Sequence, residues 1–125
     1  MTGLTLDTGA LIGVERRSAR VAAVLAAARR RRLQVRIPAP VLAQVFRGGG
    51  RQARLSQLLG YSETIVVSFD GAAARATGEL LGLTGTTDVV DAAVVVCAWR
   101  FGDRVVTSDP HDLRALDARL EIIPL

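Results

Sequence analysis

The chain has 125 residues, half of them hydrophobic, with 16 arginines and lysines against 12 acids and a formal net charge of +4. This describes one globular domain spanning 1–125, long enough to build a core without staples, and the single cysteine excludes both a disulfide framework and a cysteine-based zinc site. The longest apolar runs, 21–28 and 92–99, fall far short of the ~20 residues that cross a bilayer, and MTGLTLD carries an acid where an export signal carries bases; a cytoplasmic protein with no membrane segment is expected.

In chain order, short runs rich in β-branched residues predict strands at 4–6, 35–37, 65–69, 104–107 and 121–123. Helical periodicity predicts helices at 9–17, 19–32, 41–47, 51–59, 72–83, 89–101 and 112–120, with Gly48-Gly49-Gly50 as a turn between two of them. Strands alternating with helices predict an α/β fold: a central, mostly parallel sheet of about five strands flanked by about seven helices in three layers. In such sheets sites form beyond the carboxyl ends of the strands, where the strand order reverses. Asp7 ends the first predicted strand, Asp109 ends the fourth, and Asp88 and Asp91 open the helix between, three residues apart and so on one face.

Each of these acids has an ordinary structural job available. Asp7, Asp88 and Asp109 stand where helix caps belong, and Asp91 and Asp112 fall in first turns, where they complement the helix dipole. As a set they are harder to dismiss, because clustered carboxylates repel one another unless protonated or bound to a cation. Oxygen ligands without nearby His or Cys select Mg²⁺ or Mn²⁺, ions that activate water for in-line displacement at phosphorus. The charge is also unevenly placed. From position 15 to 54 there are 11 arginines and one acid, whereas the residues after 54 hold 5 arginines and 10 acids. A basic half beside an acidic site suits a polyanion. Arg16, Arg17, Arg20, Arg47, Arg51 and Arg54 are candidate contacts to its phosphates, and Arg29 to Arg32 read first as a solvated helix end.

LDTGALI, IPAPVLAQV, TDVVDAAVV and VVTSDPHDL, in that order over nearly the whole chain, resemble the PIN-domain ribonucleases and most closely the VapC toxins of VapBC toxin–antitoxin pairs. The resemblance implies a PIN-like fold, a Mg²⁺ or Mn²⁺ site and endonucleolytic cleavage of RNA. It also implies a homodimer inhibited by a cognate VapB-type antitoxin, with DNA reached only through that antitoxin. By position, Asp7, Asp91 and Asp109 become the catalytic and metal-binding acids, Asp88 and Asp112 further metal-binding acids, and Thr107 and Ser108 accessory hydroxyls that orient a water or ligand. One departure stands out: the family carries Glu where this chain has Gln44, which implies a weaker site and raises the alternative of a catalytically weakened module that binds RNA or antitoxin. Glu15 and Glu63 are conceivable substitutes for the missing acid.

The remaining features are plainer. His111, the one histidine, reads as an exposed helix-start residue, and Cys97 as a small buried apolar side chain. Aromatics are few, which favours recognition of RNA by shape and backbone over stacking. The apolar faces of 10–14 and 21–25 could be core or a seat for a partner helix. A phosphoacceptor receiver domain is excluded by the absence of lysine, a haloacid-dehalogenase-type phosphatase by Thr8-Gly9 after Asp7, and a nucleotide-binding fold by the lack of a P-loop or dinucleotide fingerprint.

Overall fold

Strands and helices alternate along the chain in this computed structural model, which describes residues 2–125. The order is β1 (Leu4–Leu6), α1 (Thr8–Glu15), α2 (Ala19–Arg30), β2 (Val35–Pro38), α3 (Ala39–Val45), a 3-10 turn (Gly50–Gln52), α4 (Ala53–Gly60), β3 (Thr64–Val67), α5 (Gly71–Thr84), α6 (Val89–Phe101), β4 (Arg104–Thr107), α7 (Pro110–Leu116) and β5 (Ile122–Pro124). The five strands form one parallel sheet in the order β3-β2-β1-β4-β5. The chain winds outward from β1 through β2 to β3, then returns to β4 on the other side and continues to β5. With right-handed crossovers that reversal sends the helices to opposite faces, so α1, α2 and α4 cover one side and α5, α6 and α7 the other. The reversal falls between β1 and β4, where a crevice opens at their carboxyl ends.

Burial follows this topology. β1 and β2 are buried throughout and β4 in its last three residues, while the edge strands β3 and β5 are only partly covered. Leu6, Leu11, Ile37, Val41, Val94, Val95, Val105, Val106 and Leu113 are wholly enclosed, each adding about 1.5–3 kcal/mol of transfer free energy. Among the described residues no single helix is long and apolar enough to cross a membrane; α5 and α6 together have the length and composition, but they bend by 112° and α6 lies against β1 and β4.

Local chemistry sets the boundaries. Asp7, Ser18, Asp70 and Asp88 cap α1, α2, α5 and α6 with side-chain acceptors, and Gly85 and Gly102 end α5 and α6 in the left-handed conformation that glycine adopts without penalty. Several predicted boundaries move by one or two residues, the first three helices running Thr8–Glu15, Ala19–Arg30 and Ala39–Val45 rather than 9–17, 19–32 and 41–47, and three further shifts have a local cause. The third strand ends at Val67 rather than 69, because Asp70 turns the chain into α5. The fourth predicted helix, 51–59, begins as the 3-10 turn, and the last is Pro110–Leu116 rather than 112–120: Pro110 fits the first turn, and Asp117 is extended.

Candidate active site

Asp7 leaves β1 at the reversal point. Its backbone N–H donates to Val106 O across the β1–β4 seam at 3.2 Å, and its Oδ1 accepts from Ala10 N at 2.9 Å, capping α1. The next residues bring α1 close to the end of β4. A Cβ on Gly9 would lie 2.0 Å from Ser108 Oγ, so only glycine lets this turn approach the loop after β4. On that loop Thr107 Oγ1 accepts from Asp109 N at 2.8 Å. Asp109 occupies the cap position of α7, yet its carboxylate makes no capping bond. The sequence offered capping as the ordinary job of this side chain; the structure leaves the carboxylate free of it.

The opposite wall is the amino end of α6. Asp88 caps that helix by accepting from Asp91 N at 3.0 Å, and Asp88, Asp91 and Asp112 line one open cavity of about 310 Å³ with Thr86 and Thr87. Burial and the facing carboxylates of Asp88, Asp112, Asp7 and Asp109 push Asp91 up to about 6. Asp7 is also raised, first by burial and further by Asp109, against the opposing pull of the Thr107 hydroxyl and the Ala10 and Gly9 amides. The five predicted acids therefore share one electrostatic field.

These carboxylates are spread around the crevice: among the described residues no group of three His, Cys, Asp or Glu side chains is close enough together to hold a metal ion directly. Their donor set fits Mg²⁺ or Mn²⁺ nonetheless. It is oxygen only, it carries excess negative charge, and a hydrated hard cation keeps several waters while using one or two carboxylates.

Gln44 stands at the exposed end of α3, where its Oε1 accepts from Thr8 Oγ1 at 2.8 Å. It therefore faces the turn that follows Asp7. Neither conceivable substitute for a Glu there joins the acids: Glu15 lines the same hollow as Thr8 and Gln44 but is bonded to Gln52 Nε2 at 2.6 Å and is not among the charges that raise Asp7 or Asp91, and Glu63 immediately precedes β3, at the end of the sheet away from the acids. Thr107 is buried, its hydroxyl accepting from Asp109 N and bonding Asp7; Ser108 is exposed against Gly9.

The arginines divide by location. Arg16, Arg17 and Arg47 lie just past helix ends rather than inside helices, and Arg17 has a left-handed backbone with φ 59°. Arg47 Nη1 closes the end of α3 through Ala43 O and Phe46 O, at 3.0 and 2.7 Å. Arg20 donates to Pro124 O at the end of β5, and exposed Arg51 belongs to the 3-10 turn. The Arg29 to Arg32 run ends α2 and leads into β2, so it sits at the opposite end of the sheet from the acids, with Arg29 stacked on Tyr61 at 4.3 Å. Cys97 is buried and His111 exposed at the start of α7, as expected.

Sequence reading missed Gly9, whose role depends on a contact 99 positions away, and Gln52, which is buried and ties the turn after α3 to Glu15. Nothing local marks either.

No family model and no curated protein matches the chain. Solved structures do. VapBC2 from Rickettsia felis bound to a promoter DNA fragment contains a chain that superposes with TM-score 0.77 at 16% identity, covering 98% of each chain. DNA-bound VapBC from Salmonella typhimurium gives 0.73 at 19% identity, covering 99% of this chain and 98% of that one. FitAcB from Neisseria gonorrhoeae gives 0.66 at 20% identity, covering 96% of each. At such identities the likeness carries the architecture, and over its full described length the chain has the PIN-like three-layer α/β/α fold found in these VapBC and FitAcB structures.

Proposed function

We propose that the chain is the toxin component of a type II toxin–antitoxin pair and acts as a Mg²⁺- or Mn²⁺-dependent endoribonuclease on structured RNA. The observation that carries this reading is the field that Asp7, Asp88, Asp109 and Asp112 exert on Asp91 at the strand-order reversal, with Asp88, Asp91 and Asp112 lining one cavity and, among the described residues, no cation offsetting the rise of Asp91. The solved neighbours are complexes whose VapBC and FitAcB names support the toxin half of the reading.

Asp7, Asp91 and Asp109 would hold a divalent cation through one or two of their carboxylates and bridging waters, and that ion would supply an activated water and offset the charge that develops at phosphorus. Asp7 is held by the α1 cap and Asp109 by the Thr107 hydroxyl, so the two acids keep fixed backbone positions on either side of the β1–β4 seam. Asp88 and Asp112 strengthen the field around Asp91 and accept hydrogen bonds from water. We take Arg47 and Arg51, which follow α3, as contacts to the RNA backbone.

The antitoxin has a seat of its own. A cavity of about 180 Å³ between α1, α2 and α4 is walled by Val14, Val21, Leu25 and Leu58 and bordered by Arg17, Arg29 and Arg54, with Glu63 the one acid. An amphipathic segment with an apolar face and acidic flanks matches it.

A second reading, a module that binds RNA or antitoxin without cutting, is favoured by Gln44, whose amide oxygen is taken by Thr8 and which brings no charge. Cleavage of a panel of transfer, ribosomal and other structured RNAs by antitoxin-free protein separates the two. Discrete cuts with Mg²⁺ or Mn²⁺ that vanish with EDTA, with Asp7→Asn and with Asp91→Ala are expected, and Gln44→Glu should cut faster. Silence from the wild type with cutting by Gln44→Glu would mean a disarmed nuclease. Silence from both, with RNA still bound, would establish the binding module.

A further inference from the structure

A second hollow, which shares no lining residue with the cavity of Asp88, Asp91 and Asp112, begins at Thr8, the residue after Asp7. It is open, about 480 Å³, and lined by Thr8, Ile12, Glu15, Gln44, Arg47 and Gln52. Its floor is built with unusual rigidity. Gln52 is only 7% exposed and has every amide valence engaged: Nε2 donates to Glu15 Oε1 at 2.6 Å and to Val45 O at 2.7 Å, while Oε1 accepts from Arg47 N at 2.7 Å and Gly48 N at 2.9 Å. A saturated buried amide thus fixes Glu15 on one side and the Arg47 backbone on the other. Across the hollow, Thr8 occupies the Gln44 oxygen, and the Gln44 amide nitrogen donates to none of the described residues.

We propose that this hollow is a base-recognition pocket that selects a guanine beside the cleaved phosphodiester; it rests on the nuclease reading and adds its sequence preference. A carboxylate only accepts hydrogen bonds, and guanine is the RNA base whose pairing edge presents two adjacent N–H groups, N1–H and N2–H. Glu15 accepts from that pair, and Gln44 Nε2 donates to guanine O6. Arg47, with Nη1 spent on Ala43 O and Phe46 O, presents its other guanidinium N–H groups to the flanking phosphate. Adjacency to the cut follows from the chain, since Thr8 is the residue after Asp7 and lines the hollow, where its hydroxyl donates to Gln44. An arginine of a protein partner is the other ligand a carboxylate could take, but Arg47 lines the same hollow and repels it.

The test is cleavage of a random-sequence RNA library by the antitoxin-free protein, with sequencing of the new ends, for wild type and Glu15→Gln. The variant preserves an acceptor for Gln52 and so preserves the floor. Wild-type cuts should carry guanine at one position within two nucleotides of the break about tenfold more often than any other base, and Glu15→Gln should lose that preference while still cutting. In one cleaved oligonucleotide, inosine in place of that guanine removes N2–H alone. It should slow the wild type about fivefold and leave Glu15→Gln indifferent, a response that mere loss of packing would not give. Cutting without a guanine preference, or a preference that survives Glu15→Gln, overturns the pocket and leaves the nuclease standing. Glu15→Gln that changes only inhibition by the antitoxin assigns the hollow to the partner and overturns it equally. No cutting of any RNA overturns the nuclease reading and the pocket with it.

Discussion

Two groups of aspartates meet opposite fates in this molecule. Asp103, between α6 and β4, has a fully enclosed side chain, and every demand it makes is met: Oδ1 accepts from Gly3 N at 2.8 Å and from Arg36 Nη1 at 2.6 Å, and Oδ2 from Thr5 Oγ1 at 2.9 Å. Arg36 in turn lies over the Phe101 ring at 4.1 Å. At the far end of the same strands Asp7 and Asp91 face further carboxylates, and both are raised, first by burial and then by these like charges. A buried charge with its partner inside the chain is architecture. Unbalanced carboxylates gathered at a strand-order reversal raise one another's cost of ionisation, which a ligand of opposite charge relieves, and that asymmetry is the main physical reason to place function at one end of the sheet and not the other.

The sharpest way to break the comparison is to orphan Asp103. Arg36→Ala leaves an enclosed carboxylate with two neutral donors and no cation, and should cost about 3–5 kcal/mol in urea denaturation at pH 7. Asp91→Ala, which removes a charge from the crowded end, should cost far less or stabilise. Comparable losses from both would mean that the crevice acids are structural after all.

The layered sheet was legible because β-branched runs and helical stretches alternate, and the acids were legible because each ends a strand or opens a helix. Arg36 was not. It sits inside the buried strand β2 and counts, in any tally of charge, as part of a basic half meant for RNA, while its neutralising Asp103 lies 67 positions on. The Arg29 to Arg32 run is the exposed helix end it reads as, although charge density along the chain does not reveal which end of the sheet that terminus reaches. Gln44 was readable as a missing acid, but its bond to Thr8 and the hollow behind it depend on how α1 and α3 pack.

A smaller perturbation probes how tightly the two walls of the crevice are set. In Gly9→Ala the new Cβ would meet Ser108 Oγ at 2.0 Å and Ser108 Cβ at 3.0 Å, so the loop carrying Asp109 must shift. The expected cost is about 1–2 kcal/mol of stability, with a larger proportional fall in RNA cleavage because Asp109 moves relative to Asp7. Ser108→Ala removes the closer of the two clashing atoms and should restore part of both in the double variant. Loss of stability without any loss of cleavage would show that the Gly9–Ser108 contact does not position the acids.

The mildest prediction concerns Asp91 alone and has a definite sign. Its carboxyl is raised from an ordinary 3.8 to about 6, so ionisation is harder in the folded chain than in the unfolded one. The stability it contributes is present at low pH and is lost as pH rises through the window from about 4 to 6. Asparagine cannot ionise, so with chelator present Asp91→Asn should match the wild type near pH 4 and exceed it at pH 8. Because the group is half exposed and solvent screens its neighbours, the gap should be only about 1 kcal/mol, or roughly 4 °C in Tm. Added Mg²⁺ should raise the wild-type Tm at pH 8 and close the gap, since a bound cation relieves the repulsion that asparagine removes outright. A gap that magnesium leaves untouched would mean that the acids repel one another without forming the metal site, and would sharpen the case for the non-cleaving reading.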